Sequence, residues 1–162
     1  MQQPKKNKTY TPKEALLKAA AYCAYQERTQ QEVRDKLYTY GLEPDDVEEL
    51  IVKLCAEKMI DEERYAASYV RGKYGLKKWG RRKILQGLKG KRISDYCIKK
   101  GLKEIDPEVY CENLLHLTEK KMRTEKESNP FARKQKITYF LQTKGYETDL
   151  IQDALKELEG KE

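Results

Sequence analysis

Long apolar runs are missing from this 162-residue chain, and so is every compact catalytic motif. No stretch of 18 apolar residues occurs, which excludes a membrane-spanning helix. The opening Met1-Gln2-Gln3-Pro4-Lys5-Lys6-Asn7-Lys8 lacks the apolar centre of a secretory signal and reads as a disordered basic lead over residues 1–10. Histidine is almost absent, His116 being the only one. The four cysteines, Cys23, Cys55, Cys97 and Cys111, include no Cys-x-x-Cys pair, so the spacing of a zinc site is lacking. Without a signal peptide they are expected as reduced, buried or half-buried thiols in the cytoplasm. There is no phosphate-binding Gly-rich loop, no Gly-x-Ser-x-Gly and no His-Glu-x-x-His. The acidic clusters Asp45-Asp46-Glu48-Glu49 and Asp61-Glu62-Glu63 stand at helix starts, where capping accounts for them. These absences argue against an enzyme, and no catalytic residue, metal or cofactor is expected.

Charge of one sign is missing from one stretch only. Residues 71–92 hold ten Lys or Arg and no Asp or Glu. The chain carries +7 and this segment +10, so the remainder is −3. The basicity is therefore local, and a local cationic segment with Tyr74 and Trp79 inside it attracts a phosphate backbone or an acidic protein groove.

What is present in quantity is helical periodicity. Apolar residues recur at helical spacing nearly everywhere, with no strand alternation. Thr11-Pro12-Lys13-Glu14 and Thr29-Gln30-Gln31-Glu32 are helix starts of the capping-box type. Glu43-Pro44, Asp61, Ser94-Asp95, Asp106-Pro107 and Asn129-Pro130 mark further starts. The series Val33, Leu37, Leu42, Val47, Ile51, Leu54 repeats 51 residues on as Ile84, Leu88, Ile93, Ile98, Leu102, Ile105, and 53 further on as Ile137, Leu141, Tyr146, Ile151, Leu155, Leu158. One more helix precedes each pair, near 12–25, 62–75 and 107–124. The pattern predicts an all-α chain of three tandem three-helix repeats, over 11–59, 60–105 and 106–162, forming an elongated, curved array. With hydrophobic and charged residues each at 38%, several small cores fit better than one large one. The stretch Arg123–Ser128 is expected to be a poorly ordered loop.

Gly41 and Gly145 follow the second helix of the outer repeats, where a left-handed cap suits glycine. The middle repeat has Arg92 there, and the alternative is that Gly90 ends its helix earlier. In the helix near 81–91, Ile84, Leu85 and Leu88 are expected inward. Arg82 and Lys89, seven apart, fall on the opposite side with Lys83 flanking, and Lys77 and Lys78 precede them. Arg81 and Arg92 stand at the helix ends. Trp79 stacks on a base or partner side chain, or else lids the second core. Tyr65, Tyr69, Tyr110 and Tyr139 fall on apolar faces and are expected in or beside the core, and Tyr38 and Tyr40 at the surface.

Asp61-Glu-Glu-Arg-Tyr-Ala-Ala-Ser-Tyr-Val-Arg71 resembles the signature of RecX regulatory proteins, Asp-x-x-Arg-Tyr/Phe-Ala-x-x-Tyr/Phe-Val. Lys78-Trp79-Gly80 followed by Ile84, Leu88 and Lys91-x-Ile93 resembles that family's basic continuation. Arg81 and Arg92 depart from it, standing where many members have proline and glycine. The resemblance covers essentially the whole chain and implies three tandem three-helix repeats. It also implies a bacterial, cytoplasmic protein that binds the recombinase RecA and its filament on single-stranded DNA. Such proteins mostly inhibit recombinase and ATPase activity, in DNA repair, recombination and the SOS response, and many also bind single- or double-stranded DNA. The contact residues expected are Lys77, Lys78, Trp79, Arg81, Arg82, Lys83, Lys89, Lys91 and Arg92, in a monomer. Two other readings stay open: a sequence-independent or helix-turn-helix-like DNA-binding protein, and a helical scaffold for another protein.

Overall fold

A computed structural model describes residues 8–161, which form nine α-helices and no strand. They are α1 (Pro12–Tyr25), α2 (Gln30–Thr39), α3 (Pro44–Ala56), α4 (Glu62–Gly75), α5 (Arg81–Gly90), α6 (Asp95–Leu102), α7 (Pro107–Thr124), α8 (Pro130–Thr143) and α9 (Thr148–Glu159). Three consecutive triplets result, as the repeat spacing requires. Local chemistry sets the starts. Thr11, Thr29, Ser94, Asp106 and Asn129 each accept a backbone N–H of the first turn they precede, and Thr29 with Glu32 closes a full capping box. Asp61 does the same for α4 by accepting from the Arg64 N–H at 3.0 Å. Asp45 and Asp46 in the first turn of α3 complement its dipole, although Glu43 makes no side-chain cap.

The repeated apolar series is the core. All its members are buried except Leu102 and Leu158, which are half-buried. The left-handed caps also appear in all three repeats: φ is +81° at Gly41, +60° at Arg92 and +97° at Gly145. In the middle repeat α5 stops at Gly90, yet Arg92 still takes the conformation that glycine holds in its neighbours.

The chain divides into two compact units, one running to Tyr65 and including Lys91–Ile93, the other made of Ala66–Gly90 and Ser94 onward. In the first, α1, α2 and α3 bury Ala15, Ala19, Val33, Leu37, Leu54 and Ile60 in one cluster. In the second, the remaining helices of the middle repeat and the whole third repeat are packed together.

Several expectations need correction. Tyr139 is 70% exposed, because Ile137 and Leu141 take the inward face of α8 and a residue two positions from each points away. Tyr40 is half-buried rather than at the surface, because Tyr10 packs edge-on against its ring and donates its N–H to the Tyr40 carbonyl at 3.0 Å. Leu85 is only half-buried. Of the expected basic lead, residues 1–7 lie outside the described part, and Tyr10 is held as just stated. Of the expected loop Arg123–Ser128, Arg123 and Thr124 belong to the last turn of α7, and the rest is tied at two points: Lys121 pairs with Glu125 at 3.1 Å and Lys136 with Glu127 at 2.8 Å. Cys23 is buried, Cys55 and Cys97 half-buried and Cys111 exposed, all as free thiols. Burial pushes the Cys23 and Cys55 thiols above their ordinary pKa, away from reactivity.

Candidate binding surface

The signature residues 61–70 are scaffold. Arg64 is bound to Glu27 at 2.5 Å and to the Lys58 carbonyl at 3.0 Å. Tyr65, Ala66 and Val70 are buried. Ala66 packs so closely on Gly101 that a methyl group at Gly101 would press on its backbone and side chain. The Tyr69 hydroxyl occupies the space that a side chain at Gly87 would need. The motif therefore brings α4 against α5 and α6, and the basic segment hangs on that frame.

The segment turns its cations to two tasks. Some hold the second unit together. Lys78, at φ +56°, sends Nζ to Asn113 Oδ1 at 3.4 Å, and its carbonyl accepts the Tyr146 hydroxyl at 2.7 Å. Arg81 lies 4.0 Å from the Tyr110 ring centroid and 3.4 Å from Glu147 Oε1. The Tyr110 hydroxyl accepts the Arg81 N–H at 3.0 Å and donates to Glu147 Oε2 at 2.8 Å. Burial, the dominant cause, raises the pKa of both Tyr110 and Tyr146, so both remain donors. Trp79 is half-buried, with Lys73 Nζ 4.7 Å and Lys83 Nζ 4.3 Å from its ring centroid. It is neither a sealed core residue nor an open stacking platform.

Others face solvent. Lys77, Arg82 and Lys89 are exposed, and none of them forms an ion pair among the described residues. Seven helical residues separate Arg82 from Lys89, a rise of about 10 Å along one side of α5. Lys91 and Arg92 are exposed too, Lys91 lying 3.5 Å from Glu32 and Arg92 3.2 Å from Gln31. Sequence reasoning singled out all nine residues but did not separate these tasks. The partners that hold Lys78 and Arg81, namely Asn113, Tyr110, Tyr146 and Glu147, lie 29 to 68 residues away along the chain. Only the glycine and tyrosine following α8 hinted at them. No group of three His, Cys, Asp or Glu suited to a metal occurs among the described residues, and no described helix is long and apolar enough to cross a membrane.

Nine helices in three like triplets, a scaffold motif and a solvent-facing cationic row define an all-α tandem-repeat protein of three three-helix domains. The particular family follows from comparison. Residues 15–54, 61–102 and 108–155 match the models of the first, second and third three-helix domains of RecX, and the chain belongs to the RecX family. It is 35% identical over 144 residues to the regulatory protein RecX of Bacillus mycoides and 33% identical over the same length to that of Bacillus cereus. Each alignment takes in 89% of this chain and 53% of the relative, so the chain spans about half the length of these curated relatives. The crystal structure of RecX from Lactobacillus salivarius superposes with a TM-score of 0.83 at 30% identity, over 91% of this chain and 96% of that one. These relatives carry the name regulatory protein.

Proposed function

We propose that this protein binds the recombinase RecA and its filament on single-stranded DNA, and that it lowers recombinase and ATPase activity there, acting in the cytoplasm in DNA repair and recombination. The observation that carries this reading is the pair Arg82 and Lys89 on one side of α5, with Lys77 in the segment before it, all exposed and without carboxylate partners among the described residues, in a chain of the RecX family. Unpaired cations along one helix suit a surface that presents phosphates or carboxylates in series. Lys91 and Arg92 add to the contact. Lys78, Arg81 and Lys83 act chiefly by holding the row in place. An operator-reading mode fits less well, since three tandem three-helix repeats are unlike a single groove-reading module.

The test is RecA-catalysed ATP hydrolysis on single-stranded DNA with this protein titrated in, at low and high salt. The rate should fall at well below one protein per recombinase, with the effect weakening as salt rises. The double charge reversal Arg82→Glu/Lys89→Glu should reduce the inhibition at least about tenfold in potency, with helical content unchanged. Undiminished inhibition by the folded double variant would remove the row from the contact, and no inhibition by the parent chain would remove the function.

A further inference from the structure

Helix α8 is apolar on two sides and covered on one. Ile137 and Leu141 are buried in the third core, whereas Phe131 is 72% exposed and Tyr139 70%. A surface helix ordinarily keeps polar residues on its outer side. The same helix holds Arg133, Lys134 and Lys136 and no Asp or Glu. Its outer side thus combines bulky apolar groups with charge of one sign.

Three clefts lie side by side along this part of the third repeat and share their walls. One, of about 360 Å³, lies between Phe131 and Lys134 on α8 and Gln152 on α9. The next, of about 520 Å³, has Phe131 and Lys134 in its wall again, with the buried Ile137 and Leu155 beneath. The third, of about 450 Å³, shares Met122 and Arg133 with the second and reaches Leu158 on α9. Each shared wall therefore pairs one apolar side chain with one cation. Arg133 donates to the Met122 carbonyl, which fixes its guanidinium between two clefts. Lys134 is exposed, and neither cation forms an ion pair with a carboxylate among the described residues. Arg123 and Lys161 add positive charge at the third cleft, against Glu119 there and Glu159 in the second. The groove is net positive over an apolar floor.

This composition selects the occupant. Clefts of several hundred Å³ with an apolar floor accept bulky side chains. A polynucleotide would leave them empty: its phosphates could reach the cations, but its bases would find Phe131 as the one ring in the lining to stack on. A basic segment would be repelled at both shared walls. A segment that mixes acidic with bulky apolar residues satisfies both features, its anchors entering the clefts and its carboxylates meeting Lys134 and Arg133. We propose that the groove over α7, α8 and α9 docks an acidic protein segment carrying bulky apolar anchors. This is a second interaction of the chain and does not rest on the α5 row.

Fluorescence anisotropy tests it with the full chain, no recombinase, and a labelled peptide of about twelve residues, Asp and Glu with two Phe on one helical face. The peptide should bind, and replacing both Phe by Ala, or every acid by Lys, should weaken binding at least about tenfold. Phe131→Ala and Lys134→Glu alter exposed side chains and should each weaken it about fivefold or more, with circular dichroism unchanged. Arg82→Glu/Lys89→Glu should bind the peptide as the parent chain does. Equal affinity for the Phe and Ala peptides would overturn the proposal, as would parent-like binding by both folded groove variants or no binding by the parent. Displacement of the peptide by a single-stranded oligonucleotide as readily as by unlabelled peptide would make the groove a phosphate surface and overturn it too. With no recombinase present, each result stands apart from the ATPase test of the α5 row.

Discussion

Gly80 and Gly145 lie backbone against backbone. Flanking them, the Gly80 N–H donates to the Lys144 carbonyl at 2.7 Å, and the Gly145 carbonyl accepts the Arg82 N–H at 3.0 Å. A methyl group on Gly80 would overlap the Gly145 peptide, and one on Gly145 would overlap Lys83. The start of the basic helix is therefore fastened to the turn after α8 by main-chain atoms, whose positions leave no room for a side chain.

Gly80→Ala is accordingly expected to cost about 2–3 kcal/mol, the range of an overpacked site where backbone must shift. Gly145→Ala adds the strain of its positive φ and should cost more. Gly41→Ala is the control: φ is also positive, but the neighbouring atoms belong to the Thr9 side chain, which can turn aside. It should cost about 1 kcal/mol. Urea denaturation of the three variants checks the order, and a Gly80→Ala variant as stable as the parent would refute the close approach.

Tyr110 is the hinge of a polar set in which its hydroxyl satisfies the Arg81 N–H and feeds Glu147. Tyr110→Phe leaves both groups short of a partner in a part-buried place and should cost about 1–3 kcal/mol. Tyr146→Phe loses one bond, to the Lys78 carbonyl, and should cost about 1 kcal/mol. The two rings are 5.1 Å apart at their centroids, so the double variant should depart from additivity. Denaturation midpoints of the two single variants and the double variant measure this.

The helices and the core were legible in the sequence because their causes are local or periodic. Thr29 and Glu32 are three residues apart, and Val33, Ile84 and Ile137 mark the same position in each repeat. Which tyrosines are covered was only partly legible: Tyr139, two positions from both Ile137 and Leu141, is turned outward by the helical spacing itself, whereas Tyr40 depends on Tyr10, 30 residues earlier in the chain. The division of the basic segment was hidden for the same reason. Arg81 and Arg82 are neighbours with the same chemistry, and only Tyr110 and Glu147, brought from the third repeat, distinguish them.

That distinction is itself testable. Arg81→Ala should reduce stability by about 1 kcal/mol through loss of its stacking and its half-exposed ion pair. Arg82→Ala, exposed and unpaired, should leave stability within about 0.5 kcal/mol while weakening inhibition of the recombinase. Measuring denaturation and ATPase inhibition on both variants separates the roles. An Arg82→Ala variant that loses stability but keeps inhibition would reverse the assignment.

Two carboxylates of the first unit should respond to pH with opposite sign. The bidentate bond from Arg34, at 2.6 and 3.2 Å, holds the Glu48 carboxyl below its ordinary pKa. Its stabilisation is complete above the unfolded-state value and is lost as pH falls through the folded one. Because Glu48 is largely exposed, Glu48→Gln should cost at most about 1 kcal/mol at pH 7, and the difference should vanish in acid. Glu62 is raised instead, chiefly by burial, against the bond it accepts from the Gln30 backbone. It binds its proton more readily folded than unfolded, so ionisation costs stability as pH rises past the unfolded-state value. Glu62→Gln should therefore be neutral or stabilising at pH 7 and lose that advantage in acid. Thermal melts of both variants across pH 3–8 read the two signs.

Arg92 offers the sharpest separation of stability from binding. A side chain at φ +60° is strained by about 1 kcal/mol, and the two other repeats place glycine there. Strain retained in a segment free of acidic residues points to a use for the guanidinium rather than to a demand of the fold. Arg92→Gly relieves the strain but forfeits the bond to Gln31 and loosens the unfolded chain, so stability should change by less than about 1 kcal/mol in either direction. Inhibition of RecA-catalysed ATP hydrolysis should nevertheless weaken, because one exposed cation is gone. Arg92→Lys should keep part of that effect, along with the strain. If Arg92→Gly inhibits as well as the parent chain, the side chain is not part of the contact and the strained turn has no functional reason.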